Sequence, residues 1–182
     1  MSTPIHCICT PRPALHPHPL AAGLEAKRCG DCGNTLLALD DYRRWRERLP
    51  AGVVETADAG ATEPVQEPGH ARGCPVCSRL MSRHRVGLSP DFHIDRCSPC
   101  QLVWLDDGEW QQLEQAGLLL QLDSVLTDAW QRRVQAEELR QRREADLRAR
   151  IGDANYDEAL RIRHWLANHP QRTDMMRLIN GD

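Results

Sequence analysis

CPVCSRLMSRHRVGLSPDFHIDRCSPCQLVWLDDGEW, residues Cys74 to Trp110, decides the reading of this chain. Two Cys-x-x-Cys pairs, Cys74/Cys77 and Cys97/Cys100, flank a segment whose apolar and polar residues alternate. A Cys-x-x-Cys turn brings two sulfurs onto one ion, and two such turns complete a closed tetrahedral thiolate site of the zinc type. Pro75 and Pro99 stiffen these turns and lower the entropy of the unfolded knuckles.

Between the pairs, Leu80, Ser82, His84 and Val86 alternate with Met81, Arg83 and Arg85, the period of a half-buried strand. Gly87, Ser89, Pro90 and Asp91 supply a turn, and Phe92 to Asp95 returns the chain to the second pair. Leu102 to Leu105 makes a third apolar run. Asp106 followed by Glu109 has the spacing of a capping box, which starts a helix. The expectation is a three-stranded zinc ribbon leading into a helix. His84 and His93 lie between the knuckles, but with four thiols present they are read as surface or hairpin residues. An iron tetrathiolate suits the same donors; a disulfide framework or a dithiol redox motif finds neither a signal peptide nor a βαβ pattern to support it.

These residues resemble a known family. CPVC at Cys74, the Arg96-Cys97-x-x-Cys100 pair and the Val103-to-Trp110 tail VWLDDGEW are similar to the transcription factor IIB-type zinc ribbon of many small bacterial proteins. The likeness covers Cys74 to about Leu113 and departs from the pattern at Gln101-Leu102, where the family carries glycines. It implies a fold and a metal, with a link to transcription by analogy of shape.

The N-terminal part reads as a second, degenerate copy. A shift of 68 positions lays Cys9 on Cys77, Cys29 on Cys97, Cys32 on Cys100, Leu36-Leu37 on Trp104-Leu105 and Tyr42 on Trp110. Its first knuckle is irregular: strict register puts His6 over Cys74, whereas the nearest thiol is Cys7. Cys7, Cys9, Cys29 and Cys32 form the favoured ligand set, with His6 the alternative to Cys7 in a Cys₃His site. His16 and His18, among Pro13, Pro17 and Pro19, are read as exposed loop residues at a hairpin tip.

With 182 residues, one Phe, 4% aromatics and a mean hydropathy of -0.56, the chain is not expected to build a large continuous apolar core, so metal is the staple. All eight cysteines fall in the two clusters, and no apolar stretch spans a bilayer. The paired thiols point to a reducing cytoplasm. A net charge of -3 and a pI near 6.2 give no global field for nucleic acid. Local basic stretches remain, at Arg43, Arg44, Arg46 and Arg48 with Tyr42 and Trp45 interleaved, and at Arg79, Arg83 and Arg85.

The expected organisation is α+β: a ribbon with a short helix over residues 1–49, a Pro/Gly/Ala/Glu-rich flexible linker over 50–72, a ribbon over 73–110 and a helical region over 107–182. The linker implies two ribbons that move independently. Leu118, Leu122, Val125, Leu126, Ala129, Trp130 and Val134 share one face of an amphipathic helix, continued by Glu138/Arg142, Glu144/Arg148 and Asp146/Arg150 pairs. Gly152 breaks this rod, Tyr156 to Asn168 resumes it, and Thr173 to Ile179 closes the chain. No open metal position, Gly-rich phosphate loop or nucleophile motif is present, so the chain reads as a non-enzyme binding two Zn²⁺ ions. Its leading role is an interaction module with a protein partner. Nucleic-acid binding through the seven arginines is the alternative, and thiol or iron redox chemistry a distant third; no membrane or small-molecule substrate is expected.

Overall fold

The computed structural model describes residues 4–50, 71–89 and 91–181. Of the expected linker, residues 51–70 lie outside the described residues. The chain divides into two compact units, Met1–Val134 and Gln135–Asp182.

The first unit holds two sets of three strands. One comprises β1 (His16–Ala21), β2 (Leu24–Arg28) and β3 (Thr35–Ala38); the other comprises β4 (Ser82–Arg85), β5 (His93–Cys97) and β6 (Leu102–Leu105). These are not independent modules. They join through β3 and β6 into one antiparallel sheet of order β1-β2-β3-β6-β5-β4. Along the seam Thr35 faces Leu105, Leu36 faces Trp104, Leu37 faces Val103 and Ala38 faces Leu102. The expectation of independent motion is therefore corrected. Both strands are apolar on both faces, so each would expose oily side chains and an open row of backbone donors if left at an edge.

Alternation along these strands sends side chains to opposite faces. Leu37, Val103 and Leu105 face the helices, whereas Leu36 and Trp104 face the cysteines. On the helical side, 18 buried residues form one cluster, among them Leu24, Tyr42, Trp45, Phe92, Ile94, Trp110 and Leu122. That overturns the expectation of a small, discontinuous core. Each half alone is poor in apolar residues, but pairing edge to edge merges their two inner faces. Helix α1 (Leu39–Glu47) buries Leu39, Tyr42 and Trp45 against this face. The Tyr42 hydroxyl donates to the Leu119 carbonyl (2.6 Å) and Trp45 Nε1 to the Ala22 carbonyl (3.2 Å).

After β6, the Glu109 carboxylate accepts the Asp106 N–H (2.8 Å), the reach-back of a capping box, and α2 (Glu109–Gln115) follows. The single amphipathic helix expected from Leu118 to Val134 is instead broken. A 3-10 turn (Leu119–Gln121), α3 (Leu122–Val125) and α4 (Asp128–Ile151) replace it. Thr127 explains the break, because its Oγ1 accepts the Trp130 N–H (3.2 Å) and starts a new helix. The apolar residues still serve the expected purpose: Leu118, Leu122, Val125 and Leu126 are all buried.

Both outer strands are protected. β1 carries Pro17 and Pro19, which cannot donate to an added strand. It also carries His16 and His18, which lie within this strand and not at the hairpin tip. Against β4, the Gln131 side chain accepts from the Arg85 N–H (2.9 Å) and donates to the Arg85 carbonyl (3.0 Å), so an amide imitates a neighbouring strand.

The second unit contains the remainder of α4, then α5 (Asp153–Ala167) and α6 (Arg172–Asn180). Gly152, at φ 81°, separates α4 from α5. The ion pairs expected along α4 form, Arg142 to Glu138 at 2.5 Å, Arg148 to Glu144 at 3.1 Å and Arg150 to Asp146 at 3.0 Å. Leu166 is the one buried residue among the described residues of this unit. Among the described residues no helix is long and apolar enough to cross a membrane.

Candidate metal centres

The eight cysteines are free and gather into two groups, Cys7/Cys9/Cys29/Cys32 and Cys74/Cys77/Cys97/Cys100. Within each group all four sulfurs lie within 4.8 Å of one another. Sγ–Sγ distances are 3.6 Å for Cys7–Cys32, 3.8 Å for Cys9–Cys29 and 3.5 Å for Cys77–Cys97. A tetrahedron with zinc–sulfur bonds of about 2.3 Å has edges of about 3.8 Å, so the donors fit such an ion in number, kind and spacing.

The two first knuckles share one backbone frame. Cys7 N–H donates to the Pro13 carbonyl (2.7 Å) and Leu15 N–H to Ile5 (2.8 Å); Cys74 N–H donates to Arg79 (2.8 Å) and Met81 N–H to Arg72 (2.8 Å). Isolated bridges pair His6 with Ala14 and Gly73 with Leu80. His6 thus occupies the place of Gly73, not of Cys74. The turn has one residue fewer between its thiols and two more after them, so the offset is 67 before Cys9 and 66 from Pro13 to Leu15, and a uniform shift of 68 holds for Cys9, Cys29 and Cys32 but misplaces Cys7 and the rest of this knuckle. The His6 ring sits against the Arg12 carbonyl, Nδ1 at 3.1 Å, and the fourth donor of the group is Cys7.

Each knuckle closes with a left-handed residue or one near it. Gly33 (φ 74°) follows Cys32, Ser78 (φ 59°) follows Cys77 and Gln101 (φ 52°) follows Cys100, while Arg12 (φ 66°) serves the longer first turn. Gln101, the departure from the glycine pattern, adopts the glycine-like conformation nonetheless. Its side chain compensates by donating to the Ser98 carbonyl (2.6 Å).

Backbone donors tune the thiols. Burial raises Cys29, but the N–H groups of Cys32 and Asp31 outweigh it and bring the thiol down to about 7. The Arg79 N–H lowers Cys77 to about 7. Burial raises Cys7 and Cys97, and pushes Cys32 up to about 11. Cys100 is pushed up to about 12, first by its hydrogen bond with Cys77 and then by burial. Each group therefore sets one readily ionised thiol, Cys29 or Cys77, beside two, Cys7 and Cys32 or Cys97 and Cys100, that hold their protons until an ion displaces them.

The remaining candidates lie elsewhere. His84 sits on β4, half-buried, with its pKa lowered by burial and by Arg96, and His93 on β5; neither joins a sulfur group. Arg43 meets Asp123 (3.0 Å) and Asp40 (3.4 Å), Arg44 meets Asp41 (2.5 Å), and Arg46 meets Asp123 (3.0 Å). Arg48 donates to the carbonyls of Arg44 and Gly23. Arg83 lies 3.7 Å from Asp95, Arg85 pairs with Asp91 (2.6 Å), and Arg79 is exposed.

Sequence reasoning missed a buried charge network beside the second group. Arg72, Asp95 and Asp106 are all buried; Arg72 clamps Asp106 with both terminal nitrogens and lies 3.7 Å from Asp95. Asn34, from the other half of the sheet, donates to Asp106 (2.8 Å) and accepts the Asp107 N–H (3.2 Å). Arg72 stood at the end of an apparent linker and Asp106 within a capping box, so nothing local marked them as partners. Comparison of the chain with family models, with curated proteins and with solved structures finds no match.

Proposed function

We propose that this chain is a non-enzymatic zinc protein in which two tetrathiolate centres complete a fused pair of zinc ribbons, a repeated unit that presents a rigid surface to a protein partner. The observation that carries the reading is the gathering of all eight free cysteines into two four-sulfur groups at tetrahedral spacing. Cys74, Cys77, Cys97 and Cys100 would hold one ion, and Cys7, Cys9, Cys29 and Cys32 the other. Zinc bound by four thiolates supplies charge neutralisation and a fixed cross-link; with all positions filled by protein it offers no site for water or substrate, which is the pattern of a structural ion.

The resemblance of Cys74–Leu113 to transcription factor IIB-type ribbons supports a partner within the transcription machinery, and thiols that must stay reduced support a cytoplasmic setting. Direct nucleic-acid binding is the weaker reading. Five of the seven candidate arginines, Arg43, Arg44, Arg46, Arg83 and Arg85, already face carboxylates within the fold. Phosphate contacts at these positions would have to displace them. Elemental analysis of purified protein tests the proposal: two zinc and no iron per chain are expected, and iron in a coloured protein would replace it with the redox reading.

A further inference from the structure

We propose that the two centres are coupled, so that an ion in either group tightens the hold of the other on its own ion. This rests on the metal-binding reading above and adds to it a path between the sites. Leu36 and Trp104 stand opposite each other on the β3–β6 seam, and the buried cluster that contains them also contains Cys7, Cys29, Cys74 and Cys97. The second knuckle of each half is moreover tied to the opposite half.

In the first half, the Cys29/Cys32 knuckle closes by a bond from Cys29 N–H to the Asn34 carbonyl (2.9 Å). The Asn34 side chain holds Asp106, and Asp106 holds Arg72, whose carbonyl accepts Met81 N–H in the frame of the Cys74/Cys77 turn. Arg28, next to Cys29, reaches Asp107 (2.7 Å), and the Asp107 carboxylate occupies the space that a Cβ on Gly33 would need, its Cγ at 2.5 Å from that position. In the second half, the Cys97/Cys100 knuckle ends in Gln101. The Gln101 carbonyl accepts the Leu39 N–H (2.9 Å) at the start of α1, and its side-chain oxygen accepts from Arg43 (3.4 Å). An ion lost from one knuckle releases a turn on which the opposite half depends.

The physical consequence is linkage. A ligand that binds only the ordered turn stabilises everything ordered together with it, and the reciprocal effect must be equal. Separate ribbons on a flexible tether would show none of this.

The test measures zinc affinity by competition with a chromophoric chelator on the full chain. Cys9→Ser/Cys32→Ser leaves only the second centre, and Cys77→Ser/Cys100→Ser only the first. The overall two-ion constant of the unaltered protein should exceed the product of the two single-site constants by about 5- to 150-fold. Asn34→Ala and Leu36→Ala, which keep every sulfur, should each bring that ratio down toward one when built into the same set of three proteins. A single-site variant that binds no ion at its intact centre is the extreme of the expected result when Asn34→Ala and Leu36→Ala still lower the two-ion constant, and overturns coupling when they do not. Two ions bound with a ratio of about one overturns the coupling and leaves the zinc assignment standing. A protein that binds fewer than two ions overturns both.

Discussion

Replacing Asp106 by Asn removes one charge and almost no volume, which isolates the electrostatic content of the buried network. Arg72 and Asp106 are 7% and 9% exposed at the side chain, so neither charge is well solvated, and Arg72 would be left with Asp95 at 3.7 Å and the more distant charge of Glu109. Breaking a buried pair by removing one partner costs about 3 to 5 kcal/mol, because the remaining charge is uncompensated. Asp95 relieves part of this, and the introduced amide keeps an oxygen for the Asn34 side chain, so the lower end, about 3 kcal/mol, is expected. The double variant Arg72→Met/Asp106→Leu removes both charges from the same volume, leaves Asp95 to Arg83 at 3.7 Å, and should lie closer to the unaltered protein than Asp106→Asn does. Urea unfolding of the zinc-loaded proteins, followed by circular dichroism, measures both, with an unchanged m-value showing that stability alone has shifted. Loss of less than about 1 kcal/mol in Asp106→Asn, or a double variant no better than the single, would refute the assignment of a mutually compensating buried pair.

Three further outcomes follow from particular residues. Gly87 has φ 82° and its Cβ position lies 2.7 Å from Val134 Cγ2; Gly87→Ala should cost about 2 to 4 kcal/mol, and adding Val134→Ala should recover the steric part only, as thermal melts will show. His6→Ala should retain two zinc ions per chain and Cys7→Ser should bind at most one tightly, a contrast that elemental analysis after dialysis against a weak chelator resolves. Zinc affinity should rise steeply with pH across about 6 to 8, since Cys32 and Cys100, held at about 11 and 12, together with the raised Cys7 and Cys97, must lose protons to bind. The sign is that acid favours the protonated, empty groups; with two raised thiols per group and a third, Cys29 or Cys77, at about 7, two to three protons leave per ion and the affinity changes about 100- to 1,000-fold per pH unit, and a flat profile would contradict it.

The cysteine spacings carried the sulfur groups because ligation by Cys-x-x-Cys turns is a local geometry, readable over a few residues. The irregular first knuckle was harder: whether His6 or Cys7 closes the group depends on which residue forms the bridge to Ala14, and no window of sequence contains that information. The α+β class and the helices after Leu105 were also local, through alternation, the Asp106/Glu109 spacing and Gly152. The break at Thr127 left no mark in the pattern, since the apolar face runs through it without interruption. What could not be read was the seam. Leu36, Leu37, Val103 and Leu105 suit a strand buried on both faces, yet nothing in either half names the other as its neighbour, and the 68-residue offset suggested two beads on a string. From that omission followed the underestimated core and the unseen partners Asn34, Arg72 and Asp106.

X-ray absorption at the zinc edge on protein purified under reducing conditions, normalised to the measured zinc content, tests the central claim most directly. Two ions per chain, each with four sulfur neighbours at about 2.3 Å and no nitrogen or oxygen in the shell, is the expected result. A nitrogen contribution, a single ion per chain, or cysteines found bridged to one another with no metal present would contradict it.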